Sequence, residues 1–320
     1  MSRAVTAVEA AALLKEQDRI LILMHQYPDG DTLGSGYALC RALQTLGKQA
    51  ATACCDPIPP KYDYMTADLP VQTFEPAYVV SVDVADPKLL GSLEPMAEKV
   101  GLCIDHHGSN KDYATHLLLD AESPATAMLI ADVIRELGVS IDRGMADCLY
   151  TGIATDTGCF KYANTNPAAH RMAAELMELG AQMEMINREM FDIKSRARVE
   201  LERLALDSMQ FHCHGKVAFM SITNEMAAKS GAVENDMEGL APIPRQIEGV
   251  WVGVTLRQKA DGSYKVSVRT GTHADAAAIC QLLGGGGHMR AAGCAPEGDE
   301  TAVIAQLLEA IRKAVPRVEE

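Results

Sequence analysis

Several things are scarce in this sequence, and each scarcity removes a class of function. No apolar run reaches the ~18 residues that a membrane span requires, and no basic-then-apolar signal pattern opens the chain. A membrane protein and an exported one are therefore set aside, and the cytoplasm is the expected compartment. The nine cysteines (Cys40, Cys54, Cys55, Cys103, Cys148, Cys159, Cys213, Cys280 and Cys294) form an odd, scattered set without a CxxC pair. That argues against a disulfide framework or a zinc knuckle and for reduced thiols, most of them small core residues. Net basic charge is missing too: Lys and Arg number 29 against 43 Asp and Glu, leaving −14. A long electrostatic track for duplex DNA is excluded. A short phosphorylated substrate is not, because bound metal ions invert the local field. Repeats and low-complexity tracts are absent as well.

What is present suits a two-domain globular protein. At 320 residues the chain exceeds the usual size of one core, and 48% apolar with 22% charged residues is ordinary. Apolar runs at 20–24, 49–54, 78–84, 99–104 and 117–119 read as strands, the last as a short edge strand. Helical spacing follows at 5–14, 33–47, 124–137, from 145 into 156, and 167–179. Strands alternating with helices predict a doubly wound parallel-sheet α/β domain over residues 1–185. The Arg-, Glu- and Leu-rich tract 186–209 reads as a helical linker. Strands at 215–223, 249–258 and 263–270 and helices at 274–283 and 301–315 predict a smaller α/β domain over 210–320.

Potential metal ligands gather at the ends of these elements. His25, Asp29 and Asp31 follow the first strand, Asp83 the strand at 78–84, Asp105, His106 and His107 the strand at 99–104, and Asp156 lies in the helix after residue 145. One carboxylate would be explained by a helix cap and a lone histidine by the core, but four His/Asp clusters at element ends are not explained by turns. The first three can converge on one edge of the sheet, where open α/β sheets bind ligands. Imidazole mixed with carboxylate suits manganese, iron or cobalt, and the carboxylate share adds magnesium. The number of donors suggests two ions bridged by a shared carboxylate.

The segments HQYPDGD, SVDVAD, IDHHGS and TGIATDTGCF resemble, in order, the four motifs of the DHH phosphoesterase superfamily. GGGGHMRAAG near the C-terminus resembles the glycine-rich motif of its DHH-associated substrate-binding domain. The compact two-domain form is similar to the bacterial oligoribonuclease (nanoRNase)/pAp phosphatase branch. The resemblance implies one metal on His25, Asp29 and Asp83 and a second on Asp31, Asp83, His106 and Asp156, so that Asp83 bridges. It further implies that Asp105 orients a ligand, that His107 faces the substrate and stabilises or protonates the leaving oxygen, and that Arg269 contacts substrate. The expected cofactors are two divalent ions, manganese first, with magnesium or cobalt as alternatives.

In the C-terminal domain the loop 284–287 is expected to close backbone N–H groups of Gly285, Gly286 and Gly287 on a phosphate, with His288 and Arg290 beside it. Residues 245–295 carry six basic groups against three acidic ones, a local excess of +3 that suits a short polyanion. Other candidates are set aside. His212, Cys213 and His214 have no neighbour to complete a metal shell, and His116, His170 and His273 read as packing or surface residues. In the turn at 124–128, Met128 weakens any polar role.

The expected activity is two-metal hydrolysis of very short oligoribonucleotides to mononucleotides, together with dephosphorylation of pAp. A phosphodiesterase of linear or cyclic dinucleotides is the alternative; an inorganic pyrophosphatase and a non-catalytic nucleotide-binding regulator rank below it. Partners are short single-stranded RNA, a dinucleotide or pAp, with neither duplex DNA nor a membrane among them and a homodimer left open.

Overall fold

The run ILIL has no polar face to offer water, so it is stable only between two apolar layers. In the computed structural model, which describes residues 2–237 and 239–320, it forms β2 of a six-stranded parallel sheet. The strands are β1 (Arg3–Ala4), β2 (Ile20–Leu23), β3 (Ala50–Ala53), β4 (Tyr78–Val82), β5 (Val100–Asp105) and β6 (His116–Leu119). Their order across the sheet is β1-β6-β5-β4-β2-β3. Successive side chains enter opposite cores: Ile20, Ile22, Val80 and Val82 pack into one cluster, Leu23 and Val79 into another. The first cluster takes the helices α1 (Ala7–Glu16), α2 (Gly30–Thr45), α3 (Thr126–Leu137), α4 (Arg143–Asp156) and α5 (Pro167–Glu178). The opposite face is covered by the 3₁₀ segment Pro87–Lys99 through Leu90 and Ala97.

From β2 the chain runs outward to β3 and then returns to the other side of β2 as β4. The carboxyl ends of β2 and β4 therefore border the crevice where the strand order reverses, which is the place where such sheets bind ligands. Two differences from the sequence reading concern edges. The strand at 116–119 is not an edge, because β1 pairs with it in parallel (Arg3 with His116, Ala4 with Leu117). Two residues show no periodicity from which β1 could be read.

Contacts divide the chain into Met1–Ile193 and Lys194–Glu320. The tract read as a linker is shared between them. Helix α6 (Met183–Asn187) and the π turn Arg188–Asp192 belong to the first unit, where Ile186 is fully buried. Helix α7 (Arg196–Asp207) belongs to the second, packing Leu201 and Ala205 against Met220, Ile222 and Leu240. Its charged face faces water, and its sparse apolar stripe is enough to dock it.

The second unit is a mixed sheet, β11-β12-β10-β9-β8-β7, built from β7 (Gln210–His212), β8 (Val217–Ile222), β9 (Val252–Gln258), β10 (Tyr264–Thr270), β11 (Gly286–His288) and β12 (Ala291–Cys294). Helices α8 (Asn224–Ser230), α9 (Ala276–Gln281) and α10 (Glu300–Ala314) complete it, with α9 and α10 packing on the core through Ile279, Val303 and Leu307. His212 ends the edge strand β7 and packs edge-on against Phe219 at 5.4 Å. His116 bonds the Gly101 carbonyl, His170 stacks on Phe160 and His273 stacks on Trp251.

Helices α2 and α4 press together at Gly34, where a Cβ would collide with the Cys148 carbonyl oxygen. This closeness sets the separation of Asp31 and Asp156, which the two helices carry. Gly34→Val should destabilise the fold by about 1–3 kcal/mol, read as a lower midpoint of thermal or urea unfolding; an unchanged midpoint would show that the two helices tolerate separation.

Candidate metal centre

Every ligand-bearing segment is placed by an ordinary local preference. Asp29 caps α2, accepting from the N–H groups of Asp31 and Thr32 at 3.0 and 3.1 Å. Asp31 stands in the first turn and is buried. Asp83 leaves β4 with φ +59, a left-handed conformation uncommon outside glycine but tolerated best by Asp and Asn. That bend turns its carboxylate back across the strand ends. Asp105 ends β5, His106 and His107 follow it, and Asp156 closes α4.

The structure brings these side chains around one point. His25 Nε2 lies 3.6 Å from both Asp29 Oδ1 and Asp83 Oδ2. His106 Nε2 lies 3.7 Å from Asp83 Oδ1, 3.9 Å from Asp31 Oδ2 and 3.4 Å from Asp156 Oδ2. The two oxygens of Asp83 thus face different histidines. Both rings are held from behind, His25 Nδ1 by the Gln26 carbonyl at 2.8 Å and His106 Nδ1 by the Ser123 carbonyl at 2.9 Å. This leaves each Nε2 aimed inward. His107 differs: its Nδ1 bonds Asp105 Oδ1 at 2.9 Å and lies 3.4 Å from Asp83 Oδ1, and its side chain is 46% exposed. Asp105 is fully buried and takes a further bond from Asn110 Nδ2 at 2.7 Å.

The electrostatics are those of a cation site. Burial pushes the Asp31 carboxyl well above its ordinary value, and the charges of Asp83 and Asp156 add to the shift. Burial likewise raises Asp156 to about 6, with His106 opposing and Asp83 reinforcing. Burial works against charge on His25, but Asp29 and Asp83 outweigh it and lift the imidazolium to about 11. The hydrogen bond that His107 donates to Asp105 raises its imidazole to about 9. His106 Nε2 is buried without a hydrogen-bond partner. A buried imidazole nitrogen with no partner, facing converging carboxylates, is what a divalent cation would satisfy. The donors fall into three overlapping groups, His25/Asp29/Asp83, Asp31/His106/Asp156 and Asp83/His106/His107, with ligand atoms in each group within 4.8 Å of one another. Imidazole nitrogen and carboxylate oxygen suit manganese, iron, cobalt or magnesium.

In the second unit, Gly284–Gly287 is not a free loop. Gly286 and Gly287 lie in β11, which forms a hairpin with β12. The N–H groups of Gly284 and Gly285 are already bonded to the Gln281 and Cys280 carbonyls at 3.2 and 2.8 Å, so they are not available to cradle a phosphate. The glycines create room instead: a Cβ at Gly285 would strike the Gly293 carbonyl and Cys294. The result is a depression of about 530 Å³ lined by Lys265, Ser267, Arg269, the four glycines and the start of β12. His288 and Arg290 do not line it. Arg290 Nη1 donates to the carbonyls of Gly271 and Ala274 (3.0 Å to the latter), which fastens the hairpin tip to the turn before α9.

Residues 19–153 match the DHH family, N-terminal domain, and residues 214–316 match the DHHA1 domain. The chain is 35% identical over 316 residues, 96% of its own length and 94% of the relative, to the bifunctional oligoribonuclease and PAP phosphatase NrnA of Thermus thermophilus. The chain belongs to the DHH family. It is also 24% identical, over 86% of its length and 88% of the relative, to NrnA of Bacillus subtilis. A crystal structure of an exopolyphosphatase-related protein from Bacteroides fragilis superposes with a TM-score of 0.87 at 25% identity, covering 98% of each chain.

Within this DHH chain, sequence reasoning missed Thr126. The turn at 124–128 is polar in effect despite Met128: Thr126 Oγ1 donates to Asp83 Oδ1 at 2.9 Å, and the N–H groups of Thr126 and Ala127 donate to Asp31 at 2.7 and 2.9 Å. The start of α3 thus stabilises two carboxylates with main-chain and hydroxyl donors. The usable signal was the helix start placed at residue 124, whose first N–H groups need acceptors. Thr126→Val should weaken divalent-ion binding about 10- to 100-fold with the fold intact, measured by titration calorimetry; unaltered affinity would remove Thr126 from the site. Because Asp156 titrates near 6 against an ordinary 3.8, its contribution to the cation-free fold is complete below 3.8 and is lost as pH rises through about 6. Manganese should therefore raise the unfolding temperature more at pH ~7 than at pH ~5, where protons compete for the same oxygens.

Proposed function

We propose that the chain is a two-metal phosphoesterase that hydrolyses very short oligoribonucleotides to mononucleotides and also removes phosphate from pAp. The observation that carries this is Asp83, whose two oxygens face two separate histidine–carboxylate groups. One ion is assigned to His25, Asp29 and Asp83, the other to Asp31, Asp83, His106 and Asp156. Manganese is assigned first, on the mixture of imidazole and carboxylate donors. When bound, the pair of ions supplies an activated water for in-line attack at phosphorus and neutralises charge on the non-bridging oxygens. The relatives named oligoribonuclease and PAP phosphatase support the choice of substrate.

The chain's own side chains supply the rest. His107 is held at Nδ1 by Asp105, which leaves Nε2 directed outward, and that hydrogen bond favours the protonated ring. It donates a proton to the leaving oxygen. Arg269 and the glycine-lined depression bind a substrate phosphate in the second unit. The nine free thiols fit an enzyme of the reducing cytoplasm.

Purified protein with manganese should degrade RNA of about two to five nucleotides, and Asp83→Ala should abolish the activity; full activity in that variant would overturn the bridging assignment. Asp31→Asn should weaken one ion more than the other in a metal titration, and equal loss of both would refute the division of ligands. His107→Asn should lower kcat by about 10²- to 10⁴-fold and remove the alkaline limb of the pH profile, where His107 loses its proton. Rates on pApA, pGpG, cyclic di-AMP, pAp and longer RNA, compared side by side, rank the dinucleotide alternative.

A further inference from the structure

Aromatic side chains of the first unit are otherwise buried or half-buried, as at Tyr62, Tyr64, Tyr150, Phe160 and Phe191. Among the described residues of that unit only two tyrosine or phenylalanine rings are exposed, Tyr27 at 76% and Tyr162 at 60%. Both sit on the segments that carry metal ligands. Tyr27 lies two residues after His25 and two before Asp29. Tyr162 lies six residues after Asp156, on a segment that folds back so that Asn164 Nδ2 donates to the Asp156 carbonyl at 3.1 Å.

Left-handed backbone occurs at Tyr27 itself and, in the other segment, at the residues just before Tyr162. Tyr27 has φ +53, which is costly for a bulky residue. The bend is held by its own N–H donating to Asp56 Oδ2 at 2.7 Å and by the Gln26 N–H donating to the Leu89 carbonyl at 2.6 Å. The chain thus maintains a strained turn that exposes a tyrosine ring between His25 and Asp29 in the sequence. At the other segment Gly158, Cys159 and Phe160 all have positive φ, between +56 and +62. Tyr162 lies directly over Gly158, where any Cβ would enter its ring. One face of that ring rests on backbone two residues from Asp156, and most of the remainder is exposed.

Exposed aromatic rings on the segments that carry the candidate ligands of a phosphate-cleaving centre can serve as stacking platforms, because every nucleobase has a π-face. We propose that Tyr27 and Tyr162 are base-stacking residues that seat the bases of a nucleotide substrate at the metal centre, and so select nucleotides over base-free phosphates. This rests on the reading of the chain as acting on nucleotides, and it adds the determinant of that selectivity.

Titration calorimetry on the manganese-loaded protein tests it without turnover, using AMP and ribose 5-phosphate as probes. The wild-type chain should bind AMP at least about fivefold more tightly than ribose 5-phosphate, since one base stack is worth about 1 kcal/mol or more. Tyr27→Ala and Tyr162→Ala should each reduce that ratio, and the double alanine variant should bring it to about one. The double phenylalanine variant should retain it, because stacking needs the ring and not the hydroxyl. No preference for AMP in the wild-type chain, or a preference that survives the double alanine variant, would overturn the proposal. Loss of the preference in the double phenylalanine variant would overturn it too, by pointing to the hydroxyl groups. Failure to hydrolyse pApA would refute the proposed activity while leaving this binding result readable.

Discussion

The first unit is arranged around the mutual repulsion of buried carboxylates. Asp31 and Asp83 are almost wholly enclosed, and Asp156 stands with them around His106. Burial is the largest cause of the upward shifts of Asp31 and Asp156, and the like charges of neighbouring carboxylates add to it. A fold tolerates such a cluster only where positive charge arrives. Part of it is partial charge from the start of α3, through the N–H groups of Thr126 and Ala127. Part, while no cation is bound, is the imidazolium of His25, which gives up its Nε2 proton to serve as a ligand. The remainder is the place for cations, toward which the unpartnered His106 Nε2 points. The site is thus electrostatically unfinished by design of its donors, which is the condition for binding divalent ions.

The sheet explains why that cluster can form at all. Parallel strands all end on the same side, and the reversal of strand order between β2 and β4 opens a crevice there. β2, β4 and β5 deliver their ligands to that edge, and the tight α2–α4 contact brings Asp31 and Asp156 to it from the helix layer. Buried, doubly covered strands make the edge rigid, so ligand positions depend on packing far from the ions. The second unit contributes different physics: glycines that clear a depression lined in part by Arg269.

The arrangement of elements was legible in the sequence wherever periodicity was strong. Both-faces-buried runs such as ILIL and YVVSV could be little else, and the helix from 167 is opened by Pro167 and closed before Gly180. The illegible parts are those where no local pattern exists. Two-residue β1 becomes a strand only because β6 is there to pair with it. The tract 186–209 shows helical spacing throughout, but its few apolar residues dock on different cores on either side of Ile193. Gly284–Gly287 has the composition of a loop, yet Ala291–Cys294 supplies a partner strand and turns it into a hairpin. Arg290, basic and next to the glycines, is drawn away by two carbonyls that no sequence pattern announces.

By itself the sequence determined the chemistry on offer: three candidate donors after the first strand, one after β4, a triplet at the end of β5 and one in α4, each residue type able to serve a divalent ion. That much is local, because the donor atoms are written into residue identity and the strand ends into hydrophobic runs. Tertiary structure decided the geometry. It turned the Asp83 carboxylate between two histidines through a left-handed bend, recruited Thr126 from a helix more than forty residues away, and left His107 half exposed while enclosing His106. Those outcomes depend on which backbone N–H and carbonyl groups meet across the sheet edge, and such meetings between distant segments have no signature in either segment alone.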